Sequence, residues 1–226
     1  MQPVTSMPDA RAPEIPIRRM SRLLAPLVAA LLGACAAAPP QAEAPGPVAA
    51  GGPTCAPALA RAGALFEALP DRQGPGDCAL RDAVRLTRSH VALDQPLQIT
   101  CATAEHLLRF ERDVVQPAAL RHFGKPLARI RHFGGYACRQ RNGDARGILS
   151  EHGQGRAIDI AGFDLADGTQ ITVARHWQES GPRGAFLRQV AREACSVFHL
   201  VLTPRTDALH RSHLHLDIGR WRRCDA

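Results

Sequence analysis

The chain has 226 residues, enough for one domain of ordinary size and a tail. It is 45% apolar but only 4% aromatic, and its formal net charge is +7. That charge suits an anionic partner, yet the chain has no Lys/Arg-rich run and too few aromatics for a base-stacking platform, so an acidic cell-wall polymer fits better than nucleic acid.

At the N-terminus Arg18, Arg19 and Arg22 precede an apolar run from Leu23 to Leu32, which ends in Leu32-Gly33-Ala34-Cys35. The run is too short to span a bilayer comfortably and reads as the apolar stretch of a signal peptide over residues 1–34, with Met20 as an alternative start. Its last four residues resemble the bacterial lipobox, in which the cysteine is lipidated. Cys35 is therefore the expected lipid-bearing residue, and the expected location is a membrane of the bacterial envelope, on its periplasmic side. An ordinary cleavage site nearby is the alternative. Residues 35–54 are mostly Ala, Pro and Gly and predict a flexible tether. Residues 55–226 are the expected folded domain. The leader carries four arginines against two acids and the tether only Glu43, so the domain holds +6.

Six cysteines remain after Cys35, namely Cys55, Cys78, Cys101, Cys138, Cys195 and Cys224. An even number in an exported domain predicts three disulfides, although sequence does not choose among the pairings. A first guess joins Cys78 to Cys101, Cys138 to Cys195, and Cys55 to Cys224. No Cys-x-x-Cys occurs, which disfavours a thiolate metal site.

Taken in order, residues 56–69 predict a helix with Leu59, Leu65, Phe66 and Leu69 as its apolar stripe. Residues 71–77 form a Gly/Pro-bearing loop. Strands are expected over 84–93 and 97–99, and Thr103 is a candidate cap for a helix reaching about Phe123, with a kink or break at Pro117. A strand over 127–131 leads into Phe133-Gly134-Gly135-Tyr136, and 140–149 read as a polar loop. Residues 156–163 and 169–173 flank a hairpin signal, 186–200 predict a helix, and 213–218 a last strand. The expected fold is α+β, a small and mainly antiparallel sheet with helices packed on one face.

Two stretches carry the chemistry, Ser150-Glu151-His152-Gly153-Gln154-Gly155-Arg156-Ala157-Ile158-Asp159 and His210-Arg211-Ser212-His213-Leu214-His215-Leu216-Asp217. In the last strand His213, His215 and Asp217 share one face, and Leu214, Leu216 and Ile218 the other. Gly153 and Gly155 permit a tight turn that returns His152 towards Asp159. A catalytic zinc takes three protein ligands and keeps one position open, and His152, Asp159 and His215 can be those three, in a cleft on the sheet.

The pattern Ser-x-His-x-x-Gly-x-Ala-x-Asp followed by His-x-His resembles the superfamily of lysostaphin-type enzymes, D-Ala-D-Ala metallopeptidases and hedgehog domains. More closely, the region from Cys55 to Asp217 resembles the bacterial extensin-like protein C-terminal domain. Its marks are Gly135-Tyr136-Ala137-Cys138-Arg139-x-Arg141-Asn142, Ser150-Glu151-His152, Ala157-Ile158-Asp159-Ile160-Ala161-Gly162-Phe163 and His213-x-His215-x-Asp217. The resemblance implies a hedgehog-like fold, a Zn²⁺ cofactor on His152, Asp159 and His215, and peptidoglycan stem peptides as partners.

One departure stands out. D-Ala-D-Ala dipeptidases place a Glu three residues before the last zinc histidine, where this chain has Ser212. Penicillin-insensitive murein endopeptidases resemble the His210, His213, His215 pattern instead, which favours His213 as base or transition-state stabiliser with His210 assisting. Arg139 is a candidate for a substrate carboxylate or a developing oxyanion, or else a structural ion pair. Ser150 can bond substrate or stabilise its turn, and Asp217 can support a ligand histidine or be a solvated strand-end charge. His90, His106, His122, His132, His176 and His199 lie outside the motifs and are expected to be structural. Three functions remain open: a zinc peptidase of peptidoglycan, a non-catalytic zinc-bearing wall-binding module, and a structural envelope lipoprotein.

Overall fold

A computed structural model of the chain describes residues 52–143 and 147–226. The expected signal segment, Cys35 and the tether up to residue 51 lie outside the described residues. Thr54 is already tied to the domain, since its amide and hydroxyl both donate to Asp82, at 2.8 and 2.5 Å.

The chain begins with a short helix α1 (Ala56–Arg61), which gives way to strand β1 (Leu65–Leu69). A helix through residue 69 is therefore a misreading. The turn breaks at Gly63, whose φ of +66° suits a residue without a Cβ, and Leu65, Phe66 and Leu69 then pair with the next long strand. Strands β2 (Arg72–Gln73) and β3 (Ala79–Leu80) form a small separate ribbon. They are followed by β4 (Ala83–Arg88) and β5 (Ala92–Thr100).

Helix α2 (Cys101–Phe110) is capped by Thr100, whose hydroxyl accepts from the Thr103 amide at 3.3 Å, so the cap lies three residues before the expected one. The helix widens into a π turn, Glu111–Val115, and resumes as α3 (Gln116–Phe123). The expected break at Pro117 takes this form, because proline lacks an N–H and its ring crowds the carbonyl four residues back, and the wider turn relieves both. After β6 (Leu127–Gly134) come β7 (Ala157–Leu165) and β8 (Gln170–Thr172), the expected hairpin. Helices α4 (Val173–His176) and α5 (Pro182–Ala194) follow. Gly181 and Pro182 start α5 earlier than its apolar face suggested, a usual place for proline. It ends before Leu200, which opens β9 (Leu200–Leu202). Strands β10 (Leu214–Asp217) and β11 (Arg223–Cys224) complete the described chain.

The domain is a mixed α+β fold around one nine-stranded sheet, ordered β1-β4-β5-β6-β7-β10-β9-β11 with β8 paired to β7. This is larger than the small sheet expected. Among the described strands, only the β5–β6 and β9–β11 pairs are parallel. Ile158, Ile160 and Phe163 of β7 and Leu214 and Leu216 of β10 are fully buried, in one core with Leu107 and Phe110 of α2 and Phe186 and Val190 of α5. Burying each such side chain contributes about 1.5–3 kcal/mol, which fixes the strands that carry the polar motifs.

The three disulfides exist, but all three expected pairings are wrong. Cys55 joins Cys101, Cys78 joins Cys138, and Cys195 joins Cys224. The guess followed order along the chain, whereas β11 lies parallel to β9 and so brings Cys224 to the end of α5. Among the described residues no helix is long and apolar enough to cross a membrane.

Candidate metal centre

The sheet register assembles the centre. Asp159 of β7 stands opposite His215 of β10 on one side and Gly134 of β6 on the other. His152 arrives from the 3₁₀ turn Glu151–Gln154 just before β7. That turn is capped by Ser150, whose hydroxyl accepts from the His152 amide at 3.3 Å, and it closes on Gly155 at φ +64°. Glycine reaches that left-handed conformation without a Cβ penalty.

The expected ligands meet. His152 Nε2 lies 3.2 Å from Asp159 Oδ1 and 3.1 Å from His215 Nδ1, and His215 Nδ1 lies 2.9 Å from Asp159 Oδ1. Their outer nitrogens are anchored. His152 Nδ1 is 2.6 Å from the Gly135 carbonyl and His215 Nε2 is 3.2 Å from the Asp217 carboxylate. A carbonyl and a carboxylate only accept, so each outer nitrogen carries the proton and donates it. When the imidazoles are neutral, the inner nitrogens then present lone pairs. Two lone pairs and a carboxylate oxygen within 3.2 Å repel one another unless a cation sits among them, whether a proton or a metal. Two imidazoles and one carboxylate, nearly dry, are a donor set that zinc accepts.

Electrostatics tell the same story. Burial alone would raise Asp159, but hydrogen bonds and charge from His152 and His215 hold it well below the usual carboxylate range. Burial pulls His215 down, yet Asp159 and Asp217 outweigh it and raise the imidazole to about 9. His213 goes the other way, because burial lowers it and the neighbouring histidines add to this against the pull of Asp159.

His213 stands slightly further out, with Nε2 3.6 Å from Asp159 Oδ1 and its buried Nδ1 without a hydrogen-bond partner among the described residues. His210 is one step beyond, its ring 5.2 Å from that of His213. Arg139 is half-exposed at the rim, with Nη2 3.5 Å from Asp159 Oδ2. Ser150, His210, His213 and Arg139 line, with the three expected ligands, a cavity of about 360 Å³. None of the six other histidines joins this group.

Sequence reasoning missed several contributors. Asp207 accepts from the Leu209 amide at 2.8 Å and lies 2.8 Å from His210 Nδ1, which it orients. An Asp three residues before a His, at the head of a short turn, was a readable cap signal. Glu151 is buried and pairs with Arg156 at 2.7 Å and Arg141 at 3.6 Å, which no local pattern announced. Phe133, exposed, meets the His213 ring edge-on at 5.8 Å. The Gly135 carbonyl also went unseen, and its position is close-packed: a Cβ there would come within 2.5 Å of the Gln98 carbonyl oxygen.

The family model described as Extensin-like protein C-terminus matches residues 53–225. Neither a curated protein nor a solved structure matches the chain.

Proposed function

The chain belongs to the extensin-like protein C-terminus family, and from that premise and the site geometry we propose that it is a zinc peptidase acting on peptidoglycan peptides at the bacterial cell envelope. One observation carries the reading: His152 Nε2, His215 Nδ1 and Asp159 Oδ1 converge within 3.2 Å while both imidazoles donate outward. Zinc, when bound there, supplies Lewis acidity towards water and towards a scissile carbonyl.

The remaining work falls to side chains of this chain. His213 faces the same carboxylate from just outside the ligand group, and its unpartnered Nδ1 and lowered basicity suit a neutral imidazole that accepts or positions a proton. Asp207 holds His210 beside it as a second imidazole. Arg139 offers a guanidinium at the rim for a carboxylate or a developing oxyanion. Ser150 spends its hydroxyl on the His152 turn, which favours support of the ligand over contact with substrate. Kinship with D-Ala-D-Ala metallopeptidases and a hedgehog-like cleft belong to the same proposal, supported by the order and spacing of the two motifs. Attachment through a lipid on Cys35 rests on the apolar run ending in Leu32-Gly33-Ala34-Cys35.

Ser212, where related dipeptidases carry a Glu, favours a second reading: a zinc-bearing wall-binding module without hydrolysis. Metal analysis with a digest of purified peptidoglycan separates the two. His152→Ala and His215→Ala should lose zinc, and His213→Ala should keep it while hydrolysis falls about 10²–10⁴-fold. If His213→Ala loses zinc as completely as His215→Ala, His213 is a fourth ligand and the wall-binding reading takes over. For the anchor, Cys35→Ser should move the protein from the membrane to the soluble fraction. Unchanged fractionation with no lipid on the mature N-terminus would remove that part.

A further inference from the structure

A second and larger cavity, about 1050 Å³, adjoins the metal pocket. Arg139, Arg141, Ser150 and Glu151 line both, so they form the wall between them. The larger cavity is strongly cationic, with Arg139, Arg141, Arg156 and Arg220 on its lining against two carboxylates, Asp77 and Glu151. Glu151 is already engaged by Arg156 and Arg141. Arg220 has no carboxylate within ion-pair distance among the described residues, and its guanidinium lies over the Trp221 ring at 4.9 Å. Trp221 is 48% exposed. The Cys78–Cys138 disulfide lines the same groove and ties the β2–β3 ribbon to the segment that carries Arg139.

We infer that this groove is the binding arm for an acidic peptide, which runs from the metal pocket over Arg139 and sets its carboxylates against Arg220 and against the outer edge of Arg156, whose Nε and Nη2 already hold Glu151. The inference deepens the proposed peptidase reading and rests on it for the direction of the bound chain. Guanidinium is suited to the task because its planar fork matches a carboxylate and its weak hydration lowers the desolvation penalty. A single-stranded nucleic acid is the less favoured occupant. Base binding needs open aromatic faces in series, and the exposed indole already carries a guanidinium on one face. A groove beside the reacting centre and continuous with it can favour long acidic substrates over short ones through binding alone, without touching the chemistry.

The test titrates the full chain, stripped of metal, with two probes: the acidic peptide acetyl-Ala-Glu-Glu-Ala with a free C-terminus, and its neutral counterpart acetyl-Ala-Gln-Gln-Ala amide. The chain has two tryptophans, and Trp177 is buried, so a change in emission reports on Trp221. The acidic probe should bind about tenfold tighter than the neutral one, as expected of two exposed ion pairs near the upper end of their range, and should weaken with added salt. Arg220→Gln should lower its affinity about threefold to fivefold, and Trp221→Leu should abolish the emission change. Equal binding of the two probes by the unmodified chain overturns the inference without reference to any variant's folding. Tighter binding of oligothymidylate, with displacement of the acidic peptide, overturns it in favour of a nucleic-acid groove. If the zinc-loaded chain cleaves peptides with no preference for acidic ones, the inference fails and the peptidase reading stands. If the acidic probe binds as expected but nothing is cleaved, the peptidase reading fails and the groove stands.

Discussion

Asp159 in the candidate metal pocket and Glu111 in the π turn are both buried carboxylates, and they titrate in opposite directions. Burial pushes each up. Around Glu111 the offsetting groups are neutral, the Ser89 hydroxyl and the His90 amide, and the carboxyl rises to about 8. Around Asp159 two imidazoles face the oxygen, and the carboxyl falls well below its usual range. Desolvation is common to the two sites, so what they face decides whether the charge is kept. A buried carboxylate stays charged where positive or donating groups face it, and it takes up a proton where only a few neutral donors do.

The strongest way to break this comparison is Asp159→Asn. It keeps the shape and removes the charge, so zinc affinity should fall on the order of 10²-fold or more. Competition with a metal indicator measures it, and undiminished affinity would show that the carboxylate is no ligand.

Glu111→Gln tests the other half and should leave zinc binding alone. The folded-state value of about 8 stands above the ordinary 4.5, so between those pH values the folded protein holds a proton that the unfolded chain has released. Stability should therefore decline as pH rises from about 4.5 to about 8. The substitution should remove that part of the slope, on the order of a few kcal/mol across the window. Denaturant midpoints of the two proteins from pH 4 to 9 decide it, and parallel curves would count against a protonated Glu111. Groups common to both proteins, His215 included, cancel in the difference.

Asp217→Asn sharpens the comparison at one remove. It leaves the ligands intact but weakens the acceptor behind His215, which should cost about 10–100-fold in zinc affinity. An unchanged constant would reduce Asp217 to a strand-end charge.

The smallest effect is the proton count. With His215 raised to about 9, the metal-free site holds a proton near neutral pH that zinc must displace. Binding at pH 7–8 should release about one proton per ion, and affinity should climb with pH until about 9. Calorimetry in buffers of different ionisation enthalpy reads the number, and a value near zero would mean that both histidines are already neutral.

The grouping of His152, Asp159 and His215 was legible because its logic is local. Alternation in the last strand sets His213 and His215 apart from Leu214 and Leu216, and both leucines are fully buried. The glycines around His152 announced a turn, and Gly155 occupies the left-handed region there. The π turn was foreshadowed by Pro117, although its register was not. Residues 65–69 misled for the opposite reason. Their apolar spacing satisfies a helix and a half-buried edge strand alike, and pairing with β4 chose between them.

By itself, then, the sequence determined which side chains could hold a metal, which faces of β7 and β10 are apolar, and that the six domain cysteines pair. These follow from spacing along a few residues, where backbone geometry leaves little choice. Tertiary structure alone decided that Asp159 lies opposite His215, that Asp207 braces His210, and that Cys78 pairs with Cys138 beside an arginine-lined groove. Each of those joins segments through the order of strands in the sheet, and that order is set by how the whole apolar core packs. No stretch of the chain records it.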